Sequence, residues 1–439
     1  MTTPTDLRPG TKECGCPDDT GGMSRRAFLA GATATGALAG LTSVGLSTRL
    51  AFASAPYTGD VLVVLSLRGG MDGLNVVVPH GDNDYLTQRP TIGIPTNALL
   101  NLDGMFGLHP AMVKLMPWWN DGRLGFVHAV GLDSPSRSHF DAMAEMERAA
   151  PGSGLRTGWL DRTLGLRAPG TAFQGCQIGS GMPADMFTGP SPELAMWSVD
   201  DFQLSGADNS AERARWSAAL SALHDGAPHS LTAPVTTTMD ALATTDALKT
   251  AGYVPDITDP NLAYPDTDLG KALTDVARLI KAGPQVGLQV AAVDYGDWDM
   301  HADMGLGNQP DTGWLPDHLA EFSGALAAFA TDLGSKLADV TVITLTEFGR
   351  RVEENGSNGV DHGHGQAVLL LGGGVHGGHV HGVWPTLAPG ALDDGDLKAT
   401  TDYRALLAEI LEKRCGASGV SQVFPGLGTE RLGVVAQRT

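Results

Sequence analysis

Asp60-Val61-Leu62-Val63-Val64-Leu65-Ser66-Leu67, running into Arg68-Gly69-Gly70-Met71-Asp72-Gly73-Leu74-Asn75, is the stretch whose reading decides the fold. The first half is a short, β-branched apolar run of the kind buried on both faces in a parallel sheet. The second half is a glycine-rich loop that places Asp72 just past the strand's carboxyl end. The same alternation recurs downstream. Strands are predicted at 124–130, 286–293, 340–345 and 366–371, and helices at 110–115, 138–149, 315–336 and 402–412. Pro110 suits the first turn of its helix. Phe140, Met143 and Met146 are expected on one face of the 138–149 helix. Helices at 211–223, 234–250 and 268–282 interrupt the pattern and are read as a helical insertion over about 189–284. Strands alternating with helices predict an α/β fold, a doubly wound and largely parallel sheet with its chemistry outside the strands' carboxyl ends.

A chain of 439 residues, 42% hydrophobic and 18% charged, can bury one large core or two ordinary ones. Its net charge of −20 makes a nucleic-acid backbone an unfavourable partner. Residues 1–55 read as an export leader. Ser24-Arg25-Arg26-Ala27-Phe28-Leu29 precedes a weakly apolar, Ala/Gly-rich run to Leu46, and Ala51-Phe52-Ala53 offers a small-residue cleavage site. The paired arginines resemble a twin-arginine (Tat) signal, so the Tat export machinery is an expected partner and the mature chain 56–439 is expected to be periplasmic or extracellular. The leader's hydropathy is too low for a stable membrane span, and no stable span is expected after cleavage. Cleavage removes Cys14 and Cys16. Cys176 and Cys415 remain, either paired or as buried thiols, too few for a thiolate metal site. Any metal must therefore use oxygen and nitrogen ligands.

Two clusters answer that requirement. In Asp297-Trp298-Asp299-Met300-His301, Asp299 and His301 lie two apart and share a side if the segment is extended; Asp297 and His301 are the other pairing. Asp and His together accommodate zinc, manganese or iron. In Asp361-His362-Gly363-His364 the two imidazoles again lie two apart, around a glycine. Glu347 ends the preceding strand and suits metal binding or base catalysis. Arg350 and Arg351 can bind an anionic group or form surface ion pairs. Asp72 either binds a cation or closes its loop as an Asx turn. In Ser134-Pro135-Ser136-Arg137-Ser138-His139-Phe140, Ser136 or Ser138 either caps the following helix or stands in its positive field as a nucleophile. Arg137 can clamp an oxyanion, and His139 can bind metal or transfer protons. His376, His379 and His381, in Gly372–Gly382, are expected to be mostly exposed.

In order along the chain, these pieces resemble an uncharacterised, Tat-secreted bacterial family related to the alkaline phosphatase/sulfatase superfamily. The resemblance runs from Ser24-Arg25-Arg26 to the last helix. It is carried by Leu67–Asn75, Phe106-Gly107-Leu108-His109-Pro110, Ser136–Phe140, Thr157-Gly158-Trp159-Leu160, Trp298–His301, Thr346-Glu347-Phe348-Gly349-Arg350 and Asp361-His362-Gly363. It implies Asp72 as the first metal ligand, Ser138 at the nucleophile's position, Asp299 and His301 as a ligand pair, and Glu347, Asp361 and His362 completing the site. The superfamily's adjacent Asp-His pair is replaced here by Glu347-Phe348, so one nitrogen ligand must come from elsewhere, with His362 or His364 as candidates. Asp133 stands where sulfatases carry a modifiable cysteine, which disfavours formylglycine chemistry.

The expectation is a secreted metal-dependent hydrolase of phosphate or sulfate esters acting on a small anionic ester. One or two divalent ions (zinc, manganese or calcium) would be held among Asp72, Asp299, His301, Asp361, His362 and His364. Ser138, Glu347, Arg137 and Arg350 would serve catalysis. The alternative is a non-catalytic secreted binding or assembly protein that keeps the fold.

Overall fold

The strand that decides the fold is buried on both sides. In β1 (Val61–Leu67), Val63, Leu65 and Leu67 enter one hydrophobic core while Leu62 and Val64 enter another. This period-two division is what a sheet covered by helices on both faces demands. The computed structural model describes residues 57–132, 136–167, 170–207, 209–225 and 229–439. The expected twin-arginine leader and Asp133 lie outside them.

The main sheet continues with β2 (Leu124–Gly131), β3 (Gly175–Ile178), β4 (Leu194–Met196), β5 (Val290–Tyr295), β6 (Val340–Leu345), β7 (Gln366–Gly372), β8 (Val380–His381) and β9 (Thr401–Asp402). The strand order is β8-β2-β7-β6-β1-β5-β3-β4, with β9 also paired to β2. β7 runs antiparallel to both neighbours, and every other pairing is parallel. The sheet is therefore doubly wound and largely parallel, as the sequence predicts. The carboxyl ends of β1, β2, β5 and β6 and the amino end of β7 share one edge.

Helices flank both faces. On the side of Val63 and Leu65, α5 (Asp268–Ala282) contributes Leu273 and Val276, and α6 (Trp314–Leu333) contributes Leu319, Phe322 and Phe329. On the other side pack Met146 of α1 (His139–Arg148), Leu160 of α2 (Trp159–Leu164), and Leu406, Leu407 and Ile410 of α7 (Tyr403–Lys413). Within 189–284, α3 (Ser210–His224) buries no residue, and α4 (His229–Ala251) follows it. β4 and α5, in the same segment, belong to the main sheet and its core.

Three local expectations need correction. β5 begins at Val290 because Gly287 takes a φ of +68°, which ends extended backbone before it. The 110–115 segment is a 3-10 helix, followed by the short α-helical turn Met116–Asn120. The buried face of α1 is Ala142, Met146 and Glu147, whereas Phe140 is 88% exposed. Cys176 and Cys415 are buried free thiols. No described helix is long and apolar enough to cross a membrane.

Candidate metal centre

Loops from four strands meet at the carboxyl edge. The loop after β1 approaches the β5 loop closely enough to need glycine. Gly69 has φ +117°, and a Cβ there would lie 2.6 Å from the backbone N of Asp299. Gly363 is likewise required, since a Cβ would fall 2.4 Å from the backbone of Arg350. The buried Arg350 guanidinium laces these loops together. Its Nε donates to the Gly70 carbonyl and Nη1 to that of Val360; Nη2 donates to the carbonyls of Gly69 and Trp298 and to Oδ1 of Asp299.

Three imidazoles and one carboxylate converge on the result. His139 Nε2 lies 3.0 Å from His362 Nε2 and 3.5 Å from Asp299 Oδ2, and His362 Nε2 lies 3.2 Å from Asp299 Oδ1. His301 flanks the same pair, its Nε2 at 3.0 Å from His362 Nε2 and 3.1 Å from Asp299 Oδ1. Each imidazole is turned by its other nitrogen. His362 Nδ1 donates to the Arg137 carbonyl at 2.8 Å, a group that can only accept. His139 Nδ1 donates to the buried Glu347 carboxylate at 2.7 Å, and His301 Nδ1 to Asp361 at 3.0 Å. With the protons on Nδ1, all three Nε2 atoms present lone pairs to one another and to a carboxylate.

Such facing lone pairs repel unless a cation sits among them. Outward Nδ1–H groups held by carboxylates or a carbonyl are the partners that metal-ligating histidines use. Ligands 2.0–2.1 Å from a tetrahedral zinc ion lie about 3.3 Å apart, close to the spacings of His139, Asp299 and His362. Those three residues form the group able to hold a metal among the described residues, with their donor atoms within 4.8 Å of one another. Two imidazoles and a carboxylate suit zinc or iron better than calcium, which prefers oxygen cages. The donor set thus fits a divalent ion such as zinc, with His301 Nε2 beside it.

Burial alone would raise the Asp299 carboxyl. The Arg350 guanidinium, with His301 and His362 beside it, instead holds it below the usual carboxylate range. The Asp361 carboxyl is also held low, by the Asn355 amide and then by His301. Both are anions at neutral pH.

Of the residues expected at the site, Asp299, His301, Asp361, His362 and Glu347 come together, and Arg350 backs them. His139 joins them, its Nδ1 2.7 Å from Glu347 Oε1. Five of the expected residues have other roles in the structure. Asp72 is buried in a two-toothed ion pair with the fully buried Arg89, at 2.5 and 2.9 Å, so its oxygens are taken. His364 turns away, its Nε2 meeting the Leu132 carbonyl at 2.5 Å. Arg137 gives its guanidinium to Asp396 and Asp394, and only its carbonyl serves the centre. Glu347 is enclosed, accepting from Gly69, His139 and Thr346; it orients His139 and is shut off from solvent. Ser138 is the N-cap of α1, its Oγ accepting from the Asp141 amide at 3.4 Å. His376 and His381 bond to the carbonyls of Gly433 and His376, at β8.

A family model described as "Protein of unknown function (DUF1501)" matches residues 272–414. That span holds Asp299, His301, Glu347, Asp361 and His362 but not His139. Comparison with curated proteins finds no match. Among solved structures, the lipoteichoic acid synthase LtaP from Listeria monocytogenes is similar at TM-score 0.31 and 9% identity, over 82% of this chain and 79% of that one. The C-terminal periplasmic domain of EcEptC from Escherichia coli is similar at TM-score 0.32 and 9% identity, over 86% and 93%. Likeness at this level carries nothing about the site.

Proposed function

We propose that the chain is a metal-dependent hydrolase of phosphate or sulfate esters, with one divalent ion held by His139, His362 and Asp299. The observation that carries this reading is the set of three imidazoles whose Nδ1 atoms each meet an outward protein oxygen while their Nε2 atoms face each other at 3.0 Å. A bound ion would supply Lewis-acid polarisation of the ester. The chain's own residues do the rest. Glu347 and the Arg137 carbonyl lock the rings of His139 and His362. Arg350 keeps Asp299 ionised and in place. His301 is 43% exposed at its side chain and backed by Asp361, so its Nε2, at the edge of the cluster, is the group placed to take a proton from an attacking water. Exposure of that side of the centre favours this reading over a closed structural site.

Export is part of the same proposal. It rests on Ser24-Arg25-Arg26 and the weakly apolar run after it, and it would put the mature chain in the periplasm or outside the cell.

A second reading, a non-catalytic secreted binding or assembly protein, is favoured by one observation. If His301 joins the other three donors, four protein ligands close the coordination shell, as in structural zinc sites. Metal analysis of the purified mature chain, followed by ester-hydrolysis assays on wild type and His301→Asn, separates the two. Hydrolysis lost in the variant with its metal retained supports the enzyme. Bound metal without hydrolysis in wild type supports the binding protein.

A further inference from the structure

The loops that carry the centre have an unusual charge arrangement. They hold no lysine, and each of their arginines already has partners. Arg350 is 1% exposed and occupied by four carbonyls and Asp299. Arg137 lies against Asp396 and Asp394. Arg68 bridges Glu147 and Asp294 at 2.8 and 2.9 Å. Arg351 donates to the Asp394 carbonyl and sits 4.0 Å from Asp396. Segment 296–313, which carries Asp299 and His301, has four carboxylates (Asp297, Asp299, Asp303 and Asp311) and no lysine or arginine. Asp297 and Asp303 are exposed, and Asp361 beside His301 is 55% exposed at its side chain.

A phosphate monoester is close to a dianion at neutral pH, its second ionisation falling near pH 6. Sites that take such a group surround its oxygens with free arginines, lysines or amides. Here a non-bridging oxygen would meet the bound ion beside the Asp299 and Asp361 carboxylates, with the amino end of α1 as a source of positive potential that is not an arginine. Each added negative charge on the substrate is then repelled by these carboxylates, while the loops' arginines are already held by other partners.

We propose that this centre selects esters whose reacting group carries a single negative charge, a phosphodiester or a sulfate ester, with uncharged or cationic groups next to it, and discriminates against phosphate monoesters. The inference rests on the metal-centre reading above. The paired arginines make the discrimination, because they stabilise the loops and neutralise carboxylates without offering donors to a dianion. Asp297 and Asp303, exposed on the same loop as Asp299 and His301, add to the loop's negative charge.

The test uses the zinc-loaded mature chain at pH 8 and has two arms. Calorimetric titration compares inorganic phosphate, largely dianionic there, with dimethyl phosphate, a monoanion. Hydrolysis compares 4-nitrophenyl phosphate with bis(4-nitrophenyl) phosphate and 4-nitrophenyl sulfate. Dimethyl phosphate is expected to bind at least as tightly as phosphate, and the diester or sulfate ester to exceed the monoester in kcat/KM by about tenfold or more. In Asp297→Asn/Asp303→Asn the preference should narrow by about threefold to tenfold with metal content unchanged. Asn tolerates the positive φ of both positions, 64° and 49°. Tighter binding of phosphate, or faster turnover of the monoester, would overturn the proposal. Metal bound with no hydrolysis of any ester would sink the enzyme reading alone, and the titration would still decide the charge preference. A chain that holds no metal would overturn both.

Discussion

His139 Nε2 and His362 Nε2 face each other at 3.0 Å while the Nδ1 atoms of both rings donate to protein acceptors, Glu347 and the Arg137 carbonyl. Two neutral imidazoles have no proton to share in that geometry. The rings are held in place by second partners that lie 208 and 225 residues away in sequence. The centre is therefore assembled by the fold and cannot be the product of one local motif.

His139 should matter as much as the acid and histidine clusters. His139→Ala is expected to lower metal occupancy to near zero, whereas His364→Ala leaves it intact, because His364 addresses only the Leu132 carbonyl. Metal content per chain after gel filtration, measured for both variants, checks the contrast.

Glu347 acts through His139. Glu347→Gln keeps an acceptor for the Nδ1–H but removes its charge. Metal affinity should fall by about 10- to 100-fold with the fold intact. A competition titration against a chelator reads that change, and circular dichroism confirms the fold.

Asp72 is predicted to be structural. Asp72→Ala strands the buried Arg89 charge and should cost about 3–5 kcal/mol of stability. Metal stoichiometry in the protein that still folds should be unchanged. Loss of metal at full thermal stability would return Asp72 to the ligand set.

Ser138 separates capping from nucleophilic attack. As N-cap of α1, Ser138→Ala should destabilise by about 1 kcal/mol and leave hydrolysis within a few-fold of wild type. Complete loss of turnover with metal bound would restore the nucleophile.

Away from the centre, burial, with Asp161 nearby, pushes the Glu193 carboxyl up to about 8. The folded chain therefore holds this proton more tightly than the unfolded chain, whose carboxyl titrates near 4.5. Between those two limits stability should fall as pH rises. Glu193→Gln should flatten that dependence and be relatively more stable at pH 8 than at pH 4.5. Denaturant midpoints across the range check the sign.

The carboxyl edge was readable because strands such as Val340–Leu345 are continuous apolar runs and their following loops are rich in Asp, Glu and His. Asp299, His301 and His362 could be placed for that reason. His139 was legible as a possible ligand, but its pairing with Glu347 was not, since nothing local links a helix start to a strand end 208 residues on. Arg89 left no signal that it would claim Asp72, because buried ion pairs follow tertiary packing and not periodicity. His362 and His364 share a side only if the chain stays extended. The close backbone pairing of Arg350 with His362, which requires Gly363, turns His364 aside. Strands β3 and β4, of four and three residues, are too short to announce a period.

The most direct test of the account is metal stoichiometry of the purified mature chain, by inductively coupled plasma mass spectrometry, for wild type and His362→Ala. The account predicts close to one transition-metal ion per wild-type chain and close to none in the variant. A metal-free wild type that stays metal-free after reconstitution with zinc, or a variant that keeps its full complement, would contradict it.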